Sequence, residues 1–183
     1  MTATAISFPT YDNTPLEELA EKLHTDYYKL ISILSTQIKE RCEYLRAREM
    51  PQSSYTYLSH CDDLTNEVKK YLDYRFDVLT DYVKELANKS ATGHDCGNCS
   101  GKCDVHHSAK LFEFLGTIQD VKEILKRIRT TVVLRYRITH TELEVVYNEI
   151  TLLDNILHEL FLIEEASLLP KIKLAQKTIN VVS

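Results

Sequence analysis

The sequence predicts an all-α protein, an antiparallel up-down four-helix bundle. Three observations carry that prediction. Apolar residues recur at helical spacing along four long segments, glycine and proline number only four each in 183 residues, and helix-capping motifs precede two of the segments.

The first segment opens at Thr14-Pro15-Leu16-Glu17. Thr14 can cap, Pro15 sits where a missing N–H is harmless, and Glu17 completes a capping box. Leu16, Leu19, Leu23, Tyr27, Leu30, Leu34 and Ile38 form its apolar stripe, and the helix is expected to run to about Arg48. Met50-Pro51-Gln52-Ser53 reads as a turn. The second helix is expected over 54–88, with Tyr57, Cys61, Leu64, Val68, Tyr71, Phe76, Leu79, Tyr82 and Leu86 on its stripe. The third begins near Val105 and carries Leu111, Phe114, Ile118, Val121, Leu125, Ile128 and Val132. The β-branched run Thr130-Thr131-Val132-Val133 weakens the helical signal, and Thr139-His140-Thr141-Glu142 restarts it with a second capping box. The fourth helix carries Leu143, Val146, Ile150, Leu153, Leu157 and Leu160 and is expected to end near Pro170. Residues 1–13 are read as a flexible N-terminal tail, 14–173 as the bundle with a Cys/His loop at 93–107, and 174–183 as a C-terminal tail.

Lys and Arg total 22 against 27 Asp and Glu, a net charge of −5. Such a chain has no electrostatic preference for nucleic acid, and the local basic run from Lys122 to Arg137 reads as a solvated helix face. No signal peptide is visible, and no segment has the uncharged length that a bilayer span needs. The expected location is the cytoplasm, where thiols stay reduced and clustered cysteines read as metal ligands or redox groups.

The chemistry concentrates in one loop. Residues 94–107 hold three of the five cysteines and three of the seven histidines, together with two of the four glycines. The pattern is Cys-x2-Cys-x3-Cys-x2-His-His, formed by Cys96, Cys99, Cys103, His106 and His107. Two intervening residues let one metal take both sulfurs of Cys96 and Cys99 from a tight turn, and Gly97 and Gly101 allow the chain to fold back. His106 and His107 lie about one helical turn past Cys103, so either can supply the imidazole. Three thiolates and one imidazole suit tetrahedral zinc. Three thiolates with an outside ligand suit an iron–sulfur cluster instead. Cys103 at a helix start would have a lowered thiol pKa, which favours metal binding and oxidation equally. His94 is a spare candidate ligand. The bland alternative is a loop of unliganded thiols.

Polar residues on the helices carry less. His140, Glu144, Thr151, Asp154 and His158 line a strip beside the apolar face of helix four, which reads as a flanking, partly exposed surface. Glu164 falls on the apolar face itself, where a carboxylate needs a partner or a metal. His24 reads as a rim residue. Cys42 and Cys61 could approach each other across the first hairpin, although two separate semi-buried thiols is the simpler account. Tyr27, Tyr71 and Tyr82 fall on core stripes, so their hydroxyls require acceptors.

Two segments resemble the hemerythrin-like domain of the di-iron iron–sulfur cluster repair proteins. Leu19-Ala20-Glu21-Lys22-Leu23-His24-Thr25-Asp26-Tyr27-Tyr28-Lys29-Leu30 is similar to that family's first helix, with Tyr27 and Tyr28 where a histidine pair stands. The segment 155–171 is similar to its last helix: His158, Glu164 and Pro170 match, while Leu160 replaces a metal-binding histidine. Helix two has no His-x3-Glu pattern. The resemblance implies the up-down bundle and an inward Glu164. It also implies an alternative bundle metal site of iron using His107, His158 and Glu164, with oxygen, nitric oxide or peroxide chemistry. The cysteine loop is not part of the family pattern.

The expectation is therefore a metal-binding helical bundle whose Cys/His site holds zinc, or alternatively iron or an iron–sulfur cluster, in a structural or a redox- or metal-sensing role in a stress response. No nucleophile with a base, acid–base pair or phosphate-cradling loop is present, so no reaction is assigned. The third alternative is a metal-free interaction scaffold, with an unidentified protein partner or a homodimer through an exposed apolar face.

Overall fold

A computed structural model describes Tyr11 and residues 13–48, 50, 52–92, 102–135 and 141–180, excepting the side chains of 53, 102–105, 131–135, 141–142 and 180. The described residues form four long helices and no strand. Helix α1 (16–46) joins Leu16–Leu23 to Lys29–Arg46 through a π turn at His24–Tyr28. Helix α2 (52–91) joins Gln52–Asp73 to Thr80–Ala91 through a π turn at Tyr74–Leu79. Helix α3 is Lys102–Arg135. Helix α4 (141–180) joins Thr141–Ile163 to Leu169–Asn180 through a π turn at Glu164–Leu168.

The start of α1 differs from the expected capping box. Pro15 occupies the cap position with extended ψ of 152° and no side-chain cap bond, and its carbonyl accepts the Leu19 N–H at 2.9 Å. Glu17 and Glu18 in the first turn complement the helix dipole instead. Arg46 closes the α1–α2 turn by donating to the Leu58 carbonyl at 2.7 Å and pairing with Asp62.

The π turn in α1 decides which residues face inward. A π turn bonds i to i+5 and so adds one residue to the helix. Here the Lys29 N–H reaches the His24 carbonyl. The buried positions consequently run Leu19, Leu23, Tyr28, Ile31 and Ile38 rather than following the stripe through Tyr27 and Leu30. Leu30 is 46% exposed, whereas Ile31 is fully buried.

Helix α4 does not stop at Pro170. A proline inside an α-helix clashes with the carbonyl four residues back and lacks its own donor. The π turn immediately before it widens the helix, with the Leu169 N–H bonded to the Glu164 carbonyl, and the chain continues helically to Asn180. Ile172 and Ile179, each 1% exposed, bury this last stretch, so residues 174–180 belong to the packed structure.

The four helices share one core. The Lys29–Arg46 part of α1 packs on Gln52–Asp73 and Thr141–Ile163, while Leu16–Leu23 packs on Thr80–Ala91. Helix α3 packs on Gln52–Asp73, and Thr80–Ala91 packs on Leu169–Asn180. None of the described helices is long and apolar enough to cross a membrane. If the end of α4 is core, Ile179→Ala should destabilise by about 2–4 kcal/mol in urea unfolding. A loss below about 0.5 kcal/mol, the range of surface changes, would place it outside the core.

Candidate functional site

Two polar constellations stand out. The first lies inside the protein, where Glu164 and Arg75 are both fully buried. The Glu164 carboxylate is held from two directions by the planar guanidinium: Nε donates to Oε1 at 3.0 Å and Nη2 to Oε2 at 2.8 Å. The hydroxyls of Tyr28 and Tyr71 each donate to Oε1 at 2.8 Å. Arg75 Nη1 donates to Thr117 Oγ1 at 2.6 Å, and that hydroxyl donates to the Phe114 carbonyl at 3.0 Å. The guanidinium is sandwiched between the Tyr71 and Phe114 rings, at 4.1 and 4.2 Å from their centroids.

All four helices contribute: Tyr28 from α1, Tyr71 and Arg75 from α2, Phe114 and Thr117 from α3, Glu164 from α4. The π turns place three of these residues. In the α2 turn the Thr80 hydroxyl donates to the Arg75 carbonyl at 3.1 Å. Burial works against the Arg75 charge, but the Glu164 carboxylate more than restores it and the guanidinium stays protonated. Burial first, and then the Glu164 charge, push both tyrosine hydroxyls well above their usual range.

An arginine four residues after Tyr71 falls on the same stripe, and an inward glutamate on another helix calls for a cation. That signal in the sequence points to Arg75. Tyr28 carried no such signal, because the α1 stripe points to Tyr27. Tyr27 is half-buried and donates instead to Glu159 at 2.7 Å.

Three of the hydrogen bonds onto Glu164 fall on Oε1 and one on Oε2, and its charge is paired with the buried Arg75 guanidinium. His158 is exposed on α4, so the structure does not bring it to Glu164. The polar strip of α4 is a surface: Glu144 and Thr151 are exposed, and Asp154 pairs with Arg129. His24 is half-buried, edge-on to Phe76 with centroids 5.1 Å apart.

The second constellation lies where α3 begins. Cys96, Cys99, His94 and His140 fall outside the described residues; Cys103 lies in the first turn of α3, with its side chain outside them. His106 and His107 follow on the same helix. His106 is exposed, with Nε2 3.4 Å from Oε2 of Glu85 on α2. Glu85 also pairs with Lys89. Burial raises its pKa, but Lys89 and then His106 outweigh this and hold it below the usual carboxylate range. His107 is 3% exposed, and its Nδ1 lies 2.8 Å from the Tyr82 hydroxyl. Gln176 of α4 donates to that same hydroxyl at 2.6 Å. The structure thus gathers both histidines at the α2–α3 end, with no group of three metal-ligating side chains among the described residues.

Cys42 and Cys61 do meet across the α1–α2 hairpin. Both are fully buried and free. The Cys42 thiol and burial together raise the Cys61 pKa well above normal, leaving it protonated and poorly nucleophilic.

Arg75→Met should cost about 3–5 kcal/mol, because it strands a buried carboxylate. Replacing the whole set (Arg75→Met, Glu164→Leu, Tyr28→Phe, Tyr71→Phe) should recover most of that loss, as measured by chemical denaturation. The tyrosines add a pH dependence. Their folded pKa values lie above the unfolded value of about 10, so their contribution is intact below pH 10 and falls as pH rises beyond it. Thermal unfolding of the Tyr28→Phe, Tyr71→Phe double variant should therefore depend less steeply on pH above about 10 than that of the wild type.

Comparison with protein-family models, with curated proteins and with solved structures returns no match for this chain.

Proposed function

We propose that this chain is a metal-binding protein of the antiparallel up-down, hemerythrin-like bundle type, with its metal centre at the α2–α3 end rather than in the interior. Cys96, Cys99 and Cys103 supply thiolates, and the His106–His107 pair supplies the fourth ligand. Zinc is the ion that this donor set fits best, with iron or an iron–sulfur cluster as the alternative. The role is structural or sensory, with the thiolates answering to metal supply or to oxidants. Such a centre needs reduced thiols, so we place the protein in the cytoplasm.

The single observation carrying this reading is the start of α3 at Lys102. It sets Cys103, His106 and His107 at i, i+3 and i+4 along one helix, within about one turn of each other. Glu85 beside His106 adds the carboxylate partner that metal-bound imidazoles commonly have. The pairing of Glu164 with the buried Arg75 cation speaks against a metal ion at the same carboxylate. A structural ion would tie the segment between α2 and α3 to the helix ends, and a sensory one would release it on oxidation or metal loss.

Protein purified without a metal-affinity step should carry close to one zinc per chain by elemental analysis. Cys99→Ser should lose it while circular dichroism keeps its helical signal. Metal-free wild-type protein, or metal that persists in Cys99→Ser, would refute the proposal.

A further inference from the structure

We infer that the groove between α1 and α2 is a binding site for a neutral carbohydrate of one or two rings. It uses different residues from the proposed metal centre and does not depend on it.

The groove follows the first hairpin and has a volume of about 480 Å³. Small-molecule sites occupy roughly 300–1,000 Å³. Two hydroxyl residues form its floor, Ser35 of α1 and Thr65 of α2, which are 7% and 4% exposed. Thr65 donates to the Asp62 carbonyl at 3.1 Å, and Thr36 at the rim donates to the Ser32 carbonyl at 2.9 Å. Ser35 differs. Serine inside a helix can bond the carbonyl one turn back, yet the Ser35 hydroxyl has no hydrogen bond with any described residue. A buried hydroxyl that lines a groove and is left open calls for a partner from outside the chain.

The walls decide the class of that partner. Lys39, Glu40 and Glu43 stand on the α1 side, and none is in an ion pair with a described residue. On the α2 side Lys69 and Asp73 pair with each other at 2.6 Å, beside the Asn66 amide. Two ammonium groups and three carboxylates give neither an anion nor a cation a field of one sign. The walls offer a mixture of hydrogen-bond donors and acceptors instead. A sugar hydroxyl both gives and takes a hydrogen bond, so it can use both kinds. At one end Leu72 and Phe76 supply an apolar surface for the C–H face of a ring.

The test is titration of the isotope-labelled full chain with maltose, glucose, inorganic phosphate and putrescine, read from amide shifts. At least one of the two sugars should give saturable shifts at Ser35, Lys39, Thr65 and Lys69, with millimolar affinity. Phosphate and putrescine should give none there. Ser35→Ala should weaken sugar binding about 2- to 10-fold while circular dichroism stays unchanged. Glu43→Ala, at an exposed position that cannot unsettle the core, should weaken it about 2-fold or more. No saturable shift at these amides with maltose or glucose would overturn the proposal. So would saturation by phosphate or putrescine, which would make the groove an ion site, or sugar affinity that both variants leave unchanged. Metal content enters none of these results, so failure here would leave the metal proposal standing.

Discussion

The buried pairing of Arg75 with Glu164 is the constraint around which the helices are arranged. Desolvating either charge alone would cost several kcal/mol. The protein offsets that cost by surrounding the carboxylate with protein donors and the guanidinium with a hydroxyl and two aromatic faces. Every helix supplies a group, so a one-residue slide of any of them would strand a charge or a hydroxyl. Apolar packing tolerates small shifts more easily than this network does. The π turns in α1, α2 and α4 set the local register at which the groups meet.

Much of the helical framework was legible in the sequence. The apolar stripes of α2, α3 and α4 point to the residues that are buried, including Leu64, Tyr71, Phe114, Val121 and Leu157. Glu164 stood out as a carboxylate on an apolar face. The π turns were not legible, because an inserted residue leaves no mark in a 3.6-residue count. That is why Leu30 and Tyr27 stood on the expected core stripe of α1 while Ile31 and Tyr28 are the buried residues. Pro170 misled for the same reason: it marks the end of an ordinary helix, yet a widened turn admits it and the helix runs on to Asn180. The Thr14 capping box fails because the first helical bond goes to the Pro15 carbonyl.

The two constellations divide the work by solvent access. Polar groups in the interior are satisfied by one another and sealed from water, which suits stability and register. At the α2–α3 end, His106 remains reachable and is backed by a carboxylate, while His107 is tied through Tyr82 to Gln176. That relay links the start of α3 to the last helix. The spacing of Cys103 from the histidines was readable as a ligand pattern; the partners Glu85, Tyr82 and Gln176 come from other helices and carry no local signature. The inward carboxylate of Glu164 is engaged by an arginine.

X-ray absorption at the zinc edge of the zinc-loaded chain tests the proposed metal centre most directly. The account predicts a shell of sulfur at about 2.3 Å together with one nitrogen at about 2.0 Å. A shell of nitrogen and oxygen alone, without sulfur, would put the ion among imidazoles and carboxylates and contradict it.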